Sequence, residues 1–290
     1  MLFATLGLCA LIVPSTPGGL AQEATKEKMM DAPAYVELTF PSADGLEITA
    51  DLYRHDGEEG KRKTPFIVLC HQAGWSRGEY REIAPKLMEL GFDCLAIDQR
   101  SGGGVNEVTN ETNARAQAAK KSVGYVDAEQ DLVAALEFVH KEYAEGPVIL
   151  WGSSYSSALS LRIAGEHPKL VNGVLAFAPG EYFGRSGKPE DWVTTSAKKI
   201  SVPTFVTSAK REESAWKGIF EAIPGEEKSF FLPRTEGNHG SRALWEEFED
   251  SPAYWEATSG FLAQFLPKDK AMMDKEMMDK GEKKREGTGH

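Results

Sequence analysis

The residues best placed to do chemistry lie in the segment Pro147 to Ala158. Its first half is a short apolar run, Val148 to Trp151, which is typical of a buried strand, and a helical pattern follows. Between the two stands Ser154, with Gly152 two residues before it and Ser156 two residues after it. A serine on a sharp strand-to-helix turn with small flanking residues is the pattern of a nucleophile elbow. The pattern predicts that the Ser154 hydroxyl is presented at the start of the helix as a nucleophile.

The neighbouring residues define the frame of this elbow. Ser156 also has small residues on both sides, but it lies too far past the strand to occupy the tip of the turn. The backbone N–H of Tyr155 follows the nucleophile and is predicted to be free to bind an oxyanion. Taken alone, the segment also allows a structural interpretation as a strand, a tight turn and a serine helix cap.

A nucleophilic serine needs a base within reach and a carboxylate that orients the base. Of the six histidines, only His239 falls in a loop just past the last predicted strand, with Gly237 and Gly240 around it. Glu212 stands at the carboxyl end of the predicted strand 202–208, the edge at which catalytic groups gather in parallel sheets. The sequence therefore predicts Ser154, Glu212 and His239 as a catalytic set.

These residues need a scaffold, and the pattern between residues 35 and 266 supplies one. Strands are predicted at 35–41, 46–53, 65–71, 92–98, 148–151, 171–178, 202–208 and 228–232, and helices at 79–90, 125–143, 157–167, 213–222 and 242–266. The order indicates an α/β fold: an N-terminal antiparallel hairpin leads into a mostly parallel, eight-stranded sheet with helices on both faces. The stretch 100–124 is expected to be a long irregular loop, and the short connection before strand 202–208 leaves no room for a large cap domain.

Two further motifs carry a resemblance to a known family. His71-Gln72-Ala73-Gly74 resembles the His-Gly-x-x-Gly oxyanion loop of the α/β-hydrolase superfamily, and the segment 98–103, Asp-Gln-Arg-Ser-Gly-Gly, resembles its Asp-x-Arg-Gly segment. The chain order of serine, acid and histidine is also that of the superfamily. Residues 35–266 are similar to its compact members without a cap, close to esterases and dienelactone hydrolases.

The resemblance implies a two-step acyl transfer without a metal or an organic cofactor. By the match of the loops, the N–H of Ala73 joins that of Tyr155 in the oxyanion hole. Glu181, which follows strand 171–178, is an alternative position for the acid in some relatives. Glu212 is favoured over Glu213, which is one residue further into the following helix and should point away.

The substrate is expected to be a small-molecule ester of modest acyl size. Four aromatic residues in predicted loops are candidates to line its pocket, with covering of the core as the alternative: Trp75, Tyr182, Phe183 and Trp192. A peptidase, an amidase or a lactone hydrolase on the same triad is the alternative among enzymes. A non-catalytic binding protein that retains the fold is the alternative of another class.

The composition limits the kinds of partner that we expect for this protein. The net charge is −11, and no basic cluster outside the tail suggests nucleic acid as a partner. Residues 1–21 carry no charge and begin with an apolar run that is too short to span a bilayer, which is typical of a signal peptide cleaved after Ala21. We therefore expect a secreted or periplasmic protein without a stable membrane span. The oligomeric state stays open.

The remaining segments are of lower complexity. Residues 22–34 are interpreted as a linker and residues 267–290 as a charged, methionine-rich, disordered tail. The tail and linker contain Met-Met-Asp repeats that could bind monovalent copper, although a compositional bias is the favoured explanation. Cys70 and Cys94 are expected on neighbouring parallel strands, with Asp98 beside Cys70, so that the two sulfurs are too far apart to bond.

Overall fold

The computed structural model describes residues 35–55 and 60–267. The predicted signal peptide, the linker and the charged tail with its methionine repeats lie outside the described residues. The domain boundaries therefore stay predictions.

Eight strands form one sheet, and two more form a small separate hairpin. The strands are β1 (Val36–Pro41), β2 (Glu47–Tyr53), β3 (Phe66–Cys70), β4 (Asp93–Ile97), β5 (Gly104–Val105), β6 (Val108–Thr109), β7 (Val148–Ser153), β8 (Gly173–Phe177), β9 (Thr204–Thr207) and β10 (Lys228–Phe231). The order in the sheet is β1-β2-β4-β3-β7-β8-β9-β10, while β5 pairs with β6. Only β1 with β2 and β2 with β4 are antiparallel in the sheet. The prediction of a mostly parallel sheet entered through a hairpin is confirmed.

Seven α-helices cover the two faces of the sheet in the described part of the chain. They are α1 (Ile83–Leu90), α2 (Glu111–Ala118), α3 (Glu129–Glu142), α4 (Tyr155–Glu166), α5 (Trp192–Ala197), α6 (Glu213–Ala222) and α7 (Ser251–Leu262). Short 3₁₀ turns lie at Arg77–Tyr80, Val126–Ala128, Gly184–Ser186, Lys210–Glu212, Ser241–Leu244 and Ala263–Phe265. None of the helices within residues 35–55 and 60–267 has both the length and the apolarity needed to cross a membrane.

The central strands are buried on both faces, which is why they read as continuous apolar runs. Along β7, Leu150 packs in the core formed with α3, α4 and α6, whereas Trp151 packs in the opposite core formed with α1 and α7. The period of two along a strand sends neighbouring side chains to opposite layers. Residues 178–203 contain only a 3₁₀ turn and the six-residue α5, so no large cap lies over this edge of the sheet.

Two predicted elements were wrong in their extent. The stretch 100–124 is not irregular, because it holds the β5–β6 hairpin and α2. The Asn110 side chain starts α2 by accepting the N–H of Asn113 at 2.7 Å. The predicted helix 242–266 is interrupted, since α7 spans only Ser251–Leu262 and has a proline in its first turn.

Cys70 and Cys94 are free and fully buried, as expected from the sequence. They lie on neighbouring parallel strands, with Cys70 opposite Ile97 and Cys94 opposite Ile67. The predicted partner of Cys70, Asp98, was wrong by one residue. The conclusion is unchanged, because Cys70 and Cys94 occupy different positions along the strands.

The helix that follows the predicted nucleophile is held by a close backbone approach. Gly165 in α4 lies so near Ser196 of α5 that a methyl group at Gly165 would collide with the Ser196 carbonyl oxygen. A glycine in a helix interior otherwise costs about 0.5–1 kcal/mol relative to alanine. The close approach therefore explains a glycine at a position where alanine would favour the helix.

We expect Gly165→Ala to lower the free energy of unfolding by about 1–3 kcal/mol, because the α4–α5 contact must open. Gly218→Ala in α6 is the matched control, since open space surrounds that position and the substitution should stabilise by about 0.5–1 kcal/mol. Urea unfolding of both variants checks the difference. Equal effects of the two substitutions would contradict the close-approach argument.

Candidate active site

The turn after β7 consists of one residue. β7 ends at Ser153 and α4 begins at Tyr155, so Ser154 alone connects strand and helix. Its backbone has φ 57° and ψ −122°, a conformation that residues other than glycine rarely adopt. Its N–H donates to the Phe177 carbonyl at 2.7 Å. This is the local geometry that the elbow pattern predicted, with 9% of Ser154 exposed.

The small residues around Ser154 each have a packing reason. A methyl group at Gly152 would collide with the backbone of Ser156 and Ser157, where α4 begins. The Ser156 hydroxyl donates to the Cys70 carbonyl at 2.7 Å and accepts the Ser153 N–H at 2.9 Å. Ser156 is fully buried and ties the start of α4 to the end of β3, so its hydroxyl has a structural role.

The predicted acid and base are in direct contact. Oε1 of Glu212 lies 2.8 Å from Nδ1 of His239, and Oε2 of Glu212 accepts the Ala209 N–H at 3.2 Å. Burial raises the pKa of Glu212, but the hydrogen bond and charge of His239 outweigh burial, and the net pKa is lowered. An ionised carboxylate can only accept, so Nδ1 of His239 donates and Nε2 keeps its lone pair for another proton.

The histidine loop is attached to the elbow. Gly240 has φ 71°, and a methyl group there would lie 2.5 Å from the Ser153 hydroxyl oxygen. The next residue, Ser241, donates its N–H to the same oxygen at 2.9 Å. His239 therefore lies on a loop that is fixed to the residue preceding Ser154.

Tyr182 lies near both the serine and the acid. Burial raises the pKa of its hydroxyl to about 12, with a further increase from the Glu212 carboxylate and an opposing effect of a hydrogen bond with the Ser154 side chain. The hydroxyl also donates to the Ala178 carbonyl at 2.6 Å. Of the four aromatic pocket candidates, Tyr182 is the one that the structure places in contact with the serine.

The predicted oxyanion donors lie on two segments, the start of α4 and the loop after β3. Tyr155 is the first residue of α4, where backbone N–H groups have no acceptor within the helix and the helix dipole favours negative charge. Ala73 precedes Gly74, whose φ of 77° turns the loop back. Gly103 and Gly104 brace this loop by donating to the carbonyls of Trp75 and Gly74 at 2.9 and 3.2 Å.

His71, the first residue of that loop, has a structural role. Its Nδ1 lies 2.8 Å from the Gln72 carbonyl, which can only accept, so Nδ1 donates and Nε2 accepts the Gln99 N–H at 3.1 Å. Burial lowers the pKa of His71 to about 4, so the ring is neutral at pH 7. The imidazole fixes the loop to the segment after β4.

The alternative acid, Glu181, is engaged elsewhere. Its carboxylate accepts the N–H groups of Val193 and Thr194 at 2.9 and 2.8 Å, together with the Thr194 hydroxyl. These donors lie at the start of α5, so Glu181 stabilises the N-terminus of that helix. The contacts favour Glu212 over Glu181 as the partner of the histidine.

The other pocket candidates divide between loop and core. Trp75 is half-buried and stacks on Trp245 with ring centroids 5.3 Å apart. Phe183 is only 1% exposed, and it packs in the core with its ring edge-to-face with Trp192 at 4.9 Å. The Arg162 guanidinium covers Trp192 at 3.7 Å. Phe183 and Trp192 therefore cover the core, the alternative that the sequence had left open.

The described part of the chain contains no group of three or more His, Cys, Asp and Glu side chains placed to hold a metal ion.

Comparison with known proteins adds an independent observation. A family model described as "Serine aminopeptidase, S33" matches residues 61–201. Monoglyceride lipase of Rattus norvegicus is 27% identical over 140 residues, which are 48% of this chain and 41% of the lipase. The chain thus matches less than half the length of this curated relative.

Solved structures share the fold at low identity. A dienelactone hydrolase from Anabaena variabilis has a TM-score of 0.59 at 18% identity, covering 81% of this chain and all of that one. An esterase from Pyrococcus furiosus has a TM-score of 0.59 at 16% identity, covering 88% and 99%. An acetyl xylan esterase from Paenibacillus sp. R4 has a TM-score of 0.57 at 18% identity, covering 79% and 83%.

With this sheet order and the strand–Ser154–helix turn, the comparisons establish the fold of the protein. The described residues have the α/β-hydrolase fold without a large cap, and the sequence is similar to hydrolases, among them esterases and a lipase.

We expect Glu212→Gln to lower the turnover of p-nitrophenyl acetate by about 10²–10⁴-fold, because the amide cannot stabilise an imidazolium as a carboxylate does. Glu213→Gln is the matched control, since Glu213 pairs with Lys217 on the surface of α6 and should leave turnover unchanged. Steady-state kinetics at pH 8 measure both. Glu181→Gln should reduce the melting temperature rather than turnover. A steep loss of turnover in that variant alone would identify Glu181 as the acid.

Proposed function

We propose that this protein is a serine hydrolase that cleaves carboxylic esters of modest acyl size through an acyl-enzyme intermediate. Ser154 is the nucleophile, His239 the base and Glu212 the acid. The observation that carries the proposal is the 2.8 Å contact of an ionised Glu212 with Nδ1 of His239. It leaves Nε2 as a proton acceptor on a loop that is fixed to the serine turn.

The chemistry follows from these positions. Nε2 of His239 takes the Ser154 proton as the serine oxygen attacks the ester carbonyl carbon. The N–H groups of Ala73 and Tyr155 hold the oxyanion that forms, each such donor contributing about 3–4 kcal/mol to the transition state. The imidazolium then protonates the leaving alcohol, and water attacks the acyl-serine by the same route to release the acid.

Tyr182 contacts the proposed nucleophile before substrate binds. Its hydroxyl interacts with the Ser154 side chain and also donates to Ala178. Since Tyr182 is 37% exposed and near Ser154, its ring is accessible to an incoming acyl group. Trp75, stacked on Trp245, supplies a second aromatic surface on the side of the oxyanion loop.

The scaffold supports a modest acyl size. The residues between β8 and β9 form only one short turn and α5, and this leaves little protein to cover a long chain. The similarity to a monoglyceride lipase and to esterases supports an ester as substrate. The family model described as a serine aminopeptidase favours an amide as the second candidate on the same triad.

We expect Ser154→Ala to abolish covalent labelling by a fluorophosphonate and to lower ester turnover by about 10⁴-fold or more, without loss of folding. Ser156→Ala is the matched control, because it removes a neighbouring hydroxyl but not the nucleophile. Intact-mass spectrometry and circular dichroism check labelling and folding. Labelling that persists in Ser154→Ala and disappears in Ser156→Ala would place the nucleophile at Ser156.

Short acyl chains should be hydrolysed fastest, since no described element covers a long one. We expect kcat/KM on p-nitrophenyl esters to fall from acetyl or butyryl towards palmitoyl. The same assay includes p-nitroanilides and simple lactones as competing substrate classes. A steady rise towards palmitoyl would contradict the preference, and faster cleavage of anilides than of esters would favour the amidase.

A further inference from the structure

Glu79 is a buried carboxylate that the triad does not use. It lies in the 3₁₀ turn Arg77–Tyr80 and is 0% exposed. Its Oε2 accepts the Gln72 N–H at 2.7 Å, and its Oε1 accepts the Ser153 hydroxyl at 2.6 Å. One side chain thus joins the oxyanion loop to the residue before the nucleophile.

The same carboxylate reaches the histidine loop. The Ser153 hydroxyl that donates to Glu79 accepts the Ser241 N–H at 2.9 Å, and that N–H also lies close enough to Glu79 to lower its pKa. The Trp245 indole N–H holds the turn itself by donating to the Glu79 carbonyl at 3.0 Å. The three segments that carry Ala73, Ser154 and His239 therefore meet at one carboxyl group.

The surroundings of this carboxyl group are poor in compensating charge. The titratable groups that face it are Cys70 at the end of β3, Tyr80 in its own turn and His239 in the loop after β10. Burial raises the pKa of Glu79 to about 7, while the hydrogen bonds and the charge of His239 act in the opposite direction. Of the three facing groups, only His239 can carry a positive charge.

A buried carboxylate of this kind costs stability. With a pKa of about 7 in the folded protein and 4.5 as the ordinary value, the native state binds the extra proton between these values. Stability therefore falls as the pH rises through this window, and above pH 7 the ionised group opposes folding. A glutamine would avoid the cost of ionisation, but its NH2 group could not accept the hydrogen bond that one of the two carboxylate oxygens accepts. The two accepting oxygens therefore suit a carboxylate that joins two segments.

We propose that Glu79 is a positioning residue of the active site: it holds the oxyanion loop, the nucleophile turn and the histidine loop in register. Its carboxylate also adds to that of Glu212 as a second negative charge facing the His239 imidazolium. The proposal rests on the proposed function, because it assigns Glu79 a role in the reaction of the same triad. Glu79 itself does not touch the reacting atoms.

The test compares wild type, Glu79→Gln and the control Glu82→Gln, an exposed neighbour in the same segment. On p-nitrophenyl acetate from pH 5.5 to 9, we expect Glu79→Gln to lower kcat about 10- to 100-fold, as small misplacements of catalytic groups do. KM should change less than kcat. The acid limb, which is the rise of kcat/KM with pH on the acid side of its profile, should move to lower pH. Two contributions to it are removed: a negative charge near the imidazolium and a group that titrates near pH 7.

The melting temperature separates positioning from simple loss of structure. At pH 8.5 we expect the melting temperature of Glu79→Gln to be at most about 3 °C below that of wild type. The reason is that a neutral group has replaced an ionised buried one. A lower kcat with an unmoved acid limb and a much lower melting temperature would show a merely structural role. A kcat and acid limb equal to those of Glu82→Gln would also overturn the proposal.

If Glu79→Gln does not fold, Ser153→Ala carries the test. That change removes a hydroxyl which lowers the pKa of Glu79, so the acid limb should move to higher pH, opposite to the shift expected for Glu79→Gln. An unmoved limb would overturn the proposal. Failure of the proposed function would be distinct, because wild type would then neither hydrolyse the ester nor react with a fluorophosphonate.

Discussion

The backbone of Ser154 is the constraint on which the site depends. A non-glycine residue in this region costs about 1–3 kcal/mol and persists only where its surroundings fix it. Here the surroundings are β8, which accepts the Ser154 N–H, and a helix that can begin at once because Gly152 has no side chain. The Ser154 hydroxyl and the N-terminus of α4 at Tyr155 therefore belong to consecutive residues. This is the arrangement that the proposed nucleophile and oxyanion donor require.

Two buried arginines form ion pairs next to the segments that carry the site. The Arg77 side chain lies 3.0 Å from Asp51 and 2.7 Å from Asp98, and Arg100 lies 2.7 Å from Asp131 and 3.0 Å from Asp44. Burial raises the pKa of Asp98 to about 6 in spite of the attraction of Arg77. Such pairs contribute little net stability, but losing one partner is costly because it strands a buried charge. Their effect is geometric. The pairs of Arg77 fix the turn that carries Glu79 to β2 and to the segment after β4, and those of Arg100 connect the same segment to α3.

The sequence was informative where function depends on local backbone geometry. The elbow at Ser154 and the glycines around His239 could be recognised because a sharp turn restricts which residues fit within a few positions. Glu79 gave no such signal, since a glutamate at the start of a helical pattern is most often a solvated side chain. Its burial arises from Gln72, Ser153 and Ser241, which lie far apart in the chain. The helix α2 was missed for a related reason, as few apolar residues mark its buried face.

By itself, the sequence determined the alternation of strands and helices, the frame of the serine turn and the order of the candidate triad. Each follows from patterns of a few residues, in which polarity and side-chain size act directly on the backbone. Only the tertiary structure decided that Glu212 rather than Glu181 contacts His239, and that Phe183 belongs to the core. Both choices depend on which distant elements share an edge of the sheet. Because a carboxylate is equally able to orient a base or to cap a helix, its role is set by the donors that the fold brings to it.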